Sequence, residues 1–244
     1  MSKIDKTINE AVDWIRNTVN EAGAKGVVLG LSGGIDSAVV AALSKKAFPD
    51  STLGILMPCH SNPVDSEHAM LVAEALKLDT KTIVLDDAFD NMKKVLGVKE
   101  SDPKLAVANI KPRLRMVTLY YFAGVHNYLV AGTGNRSELT IGYFTKYGDS
   151  GVDMLPIASF VKSEVRELAA NLNIPEIIIT KAPTAGLWEN QTDENEMGMS
   201  YKELDNYILT GNASNEIKEK VDGMNARSEH KRMVALKFVP SDKE

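Results

Sequence analysis

The sequence predicts an α/β fold: a doubly wound, mainly parallel sheet flanked by helices, with further helices at its C-terminal end. Three observations predict it. Short apolar runs of strand length stand at residues 27–29, 52–57, 81–85 and 128–131. Stretches of helical periodicity separate each run from the next, the alternation that builds a parallel sheet covered on both faces. The first run passes through Gly30-Leu31-Ser32-Gly33-Gly34-Ile35-Asp36-Ser37 straight into the apolar pattern Ala38 to Leu43, a strand–turn–helix unit.

Each element has its own warrant. Ile4, Ile8, Val12, Ile15 and Val19 recur at helical spacing and give an amphipathic opening helix, closed by Gly23. After the first strand and its loop, a helix runs to about Phe48 and ends before Pro49. Thr52 to Met57 is a buried strand, Ser66 to Leu78 a helix, Lys81 to Leu85 a third strand and Asp87 to Val98 another helix. Leu105 to Val125 reads as one long helix, with a kink expected at Pro112. Tyr128 to Ala131 is the fourth strand, ending at Gly132-Thr133-Gly134. The acidic, polar stretch from Trp188 to Gly198 is expected to be a mobile loop. Ser200-Tyr201-Lys202-Glu203 is a capping box that opens a helix, and a last helix covers about Asn215 to Arg232. No internal repeat or low-complexity segment breaks the chain, so one domain spanning 1–244 is expected.

Composition narrows the function. The 244 residues carry a net charge of −5 and are 44% hydrophobic, ordinary for a soluble globular protein and unsuited to general nucleic-acid binding. No run of about 18 apolar residues and no signal-like N-terminus is present, so a cytoplasmic protein without membrane contact is expected. Cys59 is the one cysteine, which excludes an internal disulfide and a Cys-x-x-Cys pair. The four histidines lack ligand spacing, which argues against zinc.

The chemistry sits in the glycine loop. Two adjacent glycines let the backbone turn tightly and present consecutive N–H groups as an anion nest. The following helix aims its positive end into the same space. Ser32 and Ser37 add hydroxyls, and Asp36 adds a carboxylate suited to Mg²⁺. No Lys-Ser/Thr follows the glycines and the spacing G-x-G-x-x-G is absent, so this is neither a Walker A loop nor a dinucleotide fingerprint. In a parallel sheet, ligands bind beyond the strands' carboxyl ends, so this loop and Gly132 to Glu138 open on one edge. Ser-Gly-Gly-x-Asp-Ser between strand and helix resembles the loop of the ATP pyrophosphatases, which adenylate a substrate and release pyrophosphate.

Further motifs narrow the resemblance. Gly132-Thr133-Gly134-Asn135-Arg136-Ser137-Glu138, Gly142-Tyr143-Phe144-Thr145-Lys146-Tyr147-Gly148-Asp149, Asn109-Ile110-Lys111-Pro112-Arg113-Leu114-Arg115-Met116, Pro183-Thr184-Ala185-Gly186-Leu187-Trp188 and His230-Lys231-Arg232 are similar to the signatures of ammonia-dependent NAD synthetases. The resemblance implies an adenine nucleotide alpha hydrolase-like, Rossmann-like domain. It also implies an enzyme that amidates deamido-NAD with ammonia and ATP through an adenylate, with Mg²⁺ as cofactor. Gly30, Leu31, Ser32, Gly33, Gly34, Ile35, Asp36, Ser37, Thr133, Lys162 and Thr184 would bind ATP. Asp36 and Glu138 would hold the metal, and Asp36, Glu138 and Lys162 would carry the catalysis. Arg113, Lys146, Asp153, His230 and Lys231 would bind deamido-NAD. A homodimer is implied, with the long helix 105–125 as the candidate contact.

Other classes compete. A nucleotide-binding sensor on the same fold would need no paired metal carboxylates beside Lys162. An oligomeric scaffold would need an exposed apolar stripe, and none is expected from the sequence. The Gly186-Leu187-Trp188 version of its motif differs from the commoner Asp-Leu version. Arg115 reads, like Arg113, as part of a solvated helix face.

Overall fold

The alternation of apolar runs and helical stretches resolves into one four-stranded sheet. In the computed structural model, residues 2–184, 186, 188, 192–235 and 237–240 are described. Ala185 and Leu187 of the Pro183 motif, and Glu189 to Gln191 of the acidic stretch, lie outside them. Helix α1 spans Lys3–Glu21, β1 Gly26–Gly30, α2 Ile35–Ala47, β2 Thr52–Leu56, α3 Pro63–Leu76 and β3 Asp79–Thr82. Then come α4 (Asp86–Leu96), α5 (Lys104–Ala108), α6 (Ile110–His126), β4 (Tyr128–Ala131) and α7 (Arg136–Ile141). Helices α8 (Lys162–Asn171), α9 (Glu176–Thr180), α10 (Asp193–Met197), α11 (Tyr201–Thr210) and α12 (Asn215–Arg232) complete the chain.

The strand order is β3-β2-β1-β4, all parallel. The chain winds outward from β1 through β2 to β3, then returns to place β4 on the other side of β1. The switch in strand order therefore falls between β1 and β4, and the loops that leave these two strands face each other across it. Alternation along β1 splits the core. Val27 and Leu29 pack with Ile15, Val39, Leu43 and Leu168 on one face, and Val28 packs with Phe89, Leu119 and Phe122 on the other. A third cluster, built from Ile141, Met197, Tyr201, Leu204 and Val221, joins α7, α10, α11 and α12.

The structure corrects three expectations. The long helix 105–125 is two helices, broken at Asn109. Pro112 has no N–H to give to the Ala108 carbonyl, and its ring crowds that carbonyl, so α5 ends at Ala108 and α6 starts afresh. Pro112 then lies in the first turn of α6, where its missing donor is harmless. The third strand is Asp79–Thr82 instead of 81–85, because pairing with β2 sets it (Leu53 beside Asp79). The polar stretch expected as a mobile loop contains α10, with Asp193 and Met197 buried. No helix among the described residues is long and apolar enough to cross a membrane.

Candidate active site

Beyond the carboxyl ends of β1, β2 and β4 lies a cavity of about 540 Å³. Its floor is the glycine loop. Ser32 and Ser37 Oγ lie 3.0 Å apart, Gly34 N–H donates to Ser32 Oγ at 3.2 Å, and Ser37 Oγ donates to the Gly34 carbonyl at 2.9 Å. These bonds fold the loop over the start of α2. No side chain caps α2 at Gly34, so its first N–H groups remain available to an anion. Gly33 has φ +75°, and a Cβ there would sit 2.3 Å from the Asp65 carbonyl oxygen. The loop is thus pressed against the first turn of α3.

Three charged side chains converge beside the floor. Asp36, in the first turn of α2, pairs directly with Lys162 at the start of α8, and Glu138 Oε1 lies 3.7 Å from the same ammonium. Burial opposes the charge of Lys162, but Asp36 and Glu138 outweigh it and hold its pKa above the ordinary value. Glu138 is pushed up to about 8, by burial first and then by the charge of Asp36. Asn135 joins the two acids. Its Oδ1 accepts from Glu138 N–H at 3.0 Å as the cap of α7, and its Nδ2 donates to Asp36 Oδ1 at 2.9 Å. Behind them, buried Asp205 accepts from Ser137 Oγ at 2.5 Å and from Ser163 N–H at 2.8 Å, while Lys162 N–H donates to Ser137 Oγ at 3.0 Å. That network locks the root of Lys162 onto α7 and α11.

Asp193 of α10 extends the acidic side. Tyr201 and Tyr143 hydroxyls approach its two oxygens at 3.0 and 3.1 Å, and burial raises its pKa. The Lys162 ammonium sits 5.1 Å from the centre of the Tyr201 ring. Among the described residues, no three His, Cys, Asp or Glu side chains converge as a self-sufficient metal site. Asp36 and Glu138 do reach one cation together, since the ammonium of Lys162 already lies between them. A Mg²⁺ completed by phosphate oxygens and water suits such a pair.

The other sequence-derived residues divide. Gly30, Leu31, Ser32, Gly34, Ile35, Ser37, Thr133 and Thr184 face the cavity with Asp36, Glu138 and Lys162. Gly33 supports the loop from behind. Of the five residues expected to bind the acceptor, Lys231 lines the cavity and donates to the Gly142 and Phe144 carbonyls at 2.8 and 3.0 Å. Arg113, Lys146 and His230 form a chain at the surface: Arg113 Nη2 donates to the Lys146 carbonyl at 3.3 Å, and Lys146 Nζ to the His230 carbonyl. Asp153 stands apart, accepting from Val130 N–H at 2.8 Å and Tyr120 OH at 3.0 Å.

Sequence reading missed Asn135, Asp193, Lys181 and Asp65 as site residues. It also placed Arg115 on a solvated face. Arg115 turns inward, where Nε donates to the Met57 carbonyl at 3.1 Å and Nη2 to Ser61 Oγ at 3.3 Å. The spacing Pro112, Arg115, Met116, Leu119 marks that inward stripe, and all four line the cavity. An exposed apolar stripe, not expected from the sequence, runs down the outer side of α6 through Val117, Tyr121 and Val125, which are 60, 65 and 59% exposed.

Comparison with known proteins decides the lineage. Residues 7–235 match the NAD synthase family. The chain belongs to that family. An NH(3)-dependent NAD(+) synthetase of Carboxydothermus hydrogenoformans is 54% identical over 234 residues, covering 94% of this chain and 96% of the relative. Among solved structures, an NMN synthetase from Francisella tularensis superposes with a TM-score of 0.92 at 36% identity, over 99% of this chain and 100% of that one. An NH3-dependent NAD synthetase from Campylobacter jejuni gives a TM-score of 0.81 at 31% identity, over 98% and 100%. The parallel α/β sheet flanked by helices is thus the architecture of NAD synthases.

Proposed function

We propose that this chain is a C–N ligase that amidates deamido-NAD with ammonia, converting ATP to AMP and pyrophosphate. The observation that carries the reading is the meeting of Asp36, Glu138 and Lys162 beside the uncapped start of α2, in a cavity of a NAD synthase fold.

The nicotinate carboxylate is a poor electrophile, because oxide would have to leave. Its oxygen attacks the α-phosphorus of ATP, the bond from that phosphorus to the bridging oxygen breaks, and pyrophosphate departs. Ammonia then adds to the carbonyl carbon of the acyl-adenylate, loses a proton, and expels AMP. The α2 N–H groups and the Ser32 to Ser37 turn bind the phosphates, and Lys162 adds positive charge where negative charge builds up. Thr133 and Thr184 line the nucleotide cleft. Asp36 and Glu138 would hold Mg²⁺, which supplies charge neutralisation for the phosphates. Asn135 keeps the two carboxylates in register. Catalysis then rests on positioning and electrostatics.

In this reading the acceptor site is completed by a second copy in a homodimer. Arg113 precedes Val117, Tyr121 and Val125 at four-residue steps, so a surface acceptor residue and the exposed apolar stripe share one face of α6. Arg113, Lys146, Asp153, His230 and Lys231 are the residues assigned to the acceptor. The single cysteine suits a cytoplasmic setting.

A second reading, amidation of the nicotinic acid mononucleotide, is favoured by the likeness to the Francisella NMN synthetase. One assay separates the two. The purified protein is given MgATP, an ammonium salt and either acceptor, and amide product, AMP and pyrophosphate are measured together. Equal amounts of NAD, AMP and pyrophosphate with the dinucleotide, at a kcat/KM above that for the mononucleotide, establish the first reading. The reverse preference establishes the second, and no amide from either acceptor overturns both.

A further inference from the structure

Among the described residues, four cations line the cavity: Arg115, Lys162, Lys181 and Lys231. Three are firmly committed. Arg115 and Lys231 hold backbone carbonyls, and Lys162 is buried between two carboxylates. Lys181 differs. Its ammonium is 2.7 Å from Asp65 Oδ1, and both side chains are partly open to the cavity, at 20 and 26% exposure. Both residues line the cavity, so an anion that enters it meets this ammonium directly and competes with Asp65 for it.

The surroundings aim this lysine at the phosphate loop. Lys181 follows α9 directly, and Ile178 of α9 is buried in the main core, so the backbone that carries Lys181 is fixed. The Lys181 ammonium stands 3.5 Å from the Gly33 carbonyl oxygen of the glycine turn. Asp65 sits in the first turn of α3, the turn against which Gly33 packs. Once released, its carboxylate would stay stabilised by the N-terminal end of α3.

We propose that Lys181 is an exchangeable phosphate ligand. Its ammonium leaves Asp65 for the terminal phosphates of ATP and stays with the pyrophosphate formed from them. The proposal rests on the reading that ATP occupies this cavity. Asp65 acts as the resting partner: it keeps a cation beside the loop when no nucleotide is bound, and it competes with phosphate for that cation. A polyphosphate carries several charges against the single charge of Asp65, so the exchange runs toward the nucleotide.

The two partners therefore have opposite effects on phosphate binding. Calorimetric titration of the full chain with inorganic pyrophosphate, and separately with AMP, in a magnesium buffer without acceptor reads this directly. Lys181→Met should weaken pyrophosphate about tenfold or more, as for loss of one charge-assisted hydrogen bond, with AMP affinity retained. Lys181→Arg should recover much of the loss. Asp65→Asn should leave pyrophosphate binding unchanged or tighten it. The proposal is overturned if Lys181→Met binds pyrophosphate as the unmodified chain does. It is equally overturned if Lys181→Met and Asp65→Asn both weaken pyrophosphate, since that marks a purely structural clamp, or if AMP is lost in parallel. Titration without acceptor keeps the outcome separate from the amidation assay. A chain that binds pyrophosphate through Lys181 but makes no amide would leave this inference standing and remove the synthetase reading.

Discussion

Asn135 donates a 2.9 Å hydrogen bond to Asp36 across 99 positions of sequence, and the same side chain caps the helix that carries Glu138. One buried amide thus sets the spacing between the two carboxylates assigned to the metal. Asn135→Ala should lower kcat/KM about 10- to 100-fold, the usual effect of removing a group that orients a ligand. It should also cost about 1 kcal/mol of stability through the lost cap. Asn135→Ser separates the two effects. A serine can still cap α7 but cannot reach Asp36, so denaturant unfolding should return toward normal while steady-state kinetics stay impaired.

Asp36 itself is the more severe test. Asp36→Ala removes a carboxylate proposed to hold the metal and the direct partner of Lys162, and pyrophosphate release should fall by about 10²-fold or more. Near-normal release in a coupled pyrophosphate assay would remove Asp36 from the metal site.

Two glycines with nearly the same backbone angle separate strain from collision. Gly33 and Gly211 have φ of +75° and +73°, but a Cβ at Gly211 meets nothing within 4 Å, whereas at Gly33 it meets the Asp65 carbonyl oxygen at 2.3 Å. Gly211→Ala should cost about 1 kcal/mol from the left-handed conformation alone. Gly33→Ala adds overpacking against backbone, for a total of about 2–4 kcal/mol, and should lose ATP binding as the loop shifts. Thermal unfolding and nucleotide titration of the pair check this.

Cys59 gives a pH signature. Burial pushes its thiol above the ordinary 9.0, and the nearby charges of Arg115 and Lys111 only partly oppose this. The folded chain therefore keeps a proton that the unfolded chain releases above about pH 9. Stability should fall as pH climbs from 9.0 through the folded value, and Cys59→Ala should flatten that loss. A disulfide reagent should react slowly with the native thiol at pH 8 and quickly after unfolding in urea.

The outer face of α6 predicts association. Tyr121→Glu places a charge in the middle of the apolar stripe and should convert a dimer to monomers in sedimentation velocity. If a second copy completes the acceptor site, KM for the acceptor should rise about tenfold or more while ATP affinity holds.

Much of the architecture was readable because local physics and tertiary structure agreed. β4 occurs at Tyr128–Ala131 and α12 at Asn215–Arg232, as the sequence pattern predicts, since each is bounded by its own turn or capping residues. The Ser200–Glu203 capping box forms as expected. β3 was misplaced because it is an edge strand whose position comes from hydrogen bonding to β2 and not from its own polar residues. In the site, the glycine loop is a local motif and announces itself. The pairing of Lys181 with Asp65 joins residues 116 positions apart, and nothing local in either marks it. Asn135 stood inside a quoted motif, but its reach to Asp36 exists only once β1 and β4 lie side by side. Arg115 was within reach of periodicity, had the apolar stripe of α6 been extended to include it.

The bond between Asp36 and Lys162 spans 126 positions, and this matters on the ribosome. At a synthesis rate of about 10 residues per second, the glycine loop and Asp36 emerge more than about ten seconds before the lysine that pairs with them. The last helix arrives later still, and its Lys231 and Arg232 fasten the carbonyls of residues 139–144. A nascent chain therefore carries the glycine turn proposed to bind phosphate long before it carries the lysine proposed to stabilise a departing pyrophosphate. Assembly order thus withholds the Asp36–Lys162 pair until α8 has been made, and the Lys231 and Arg232 contacts until α12 has followed.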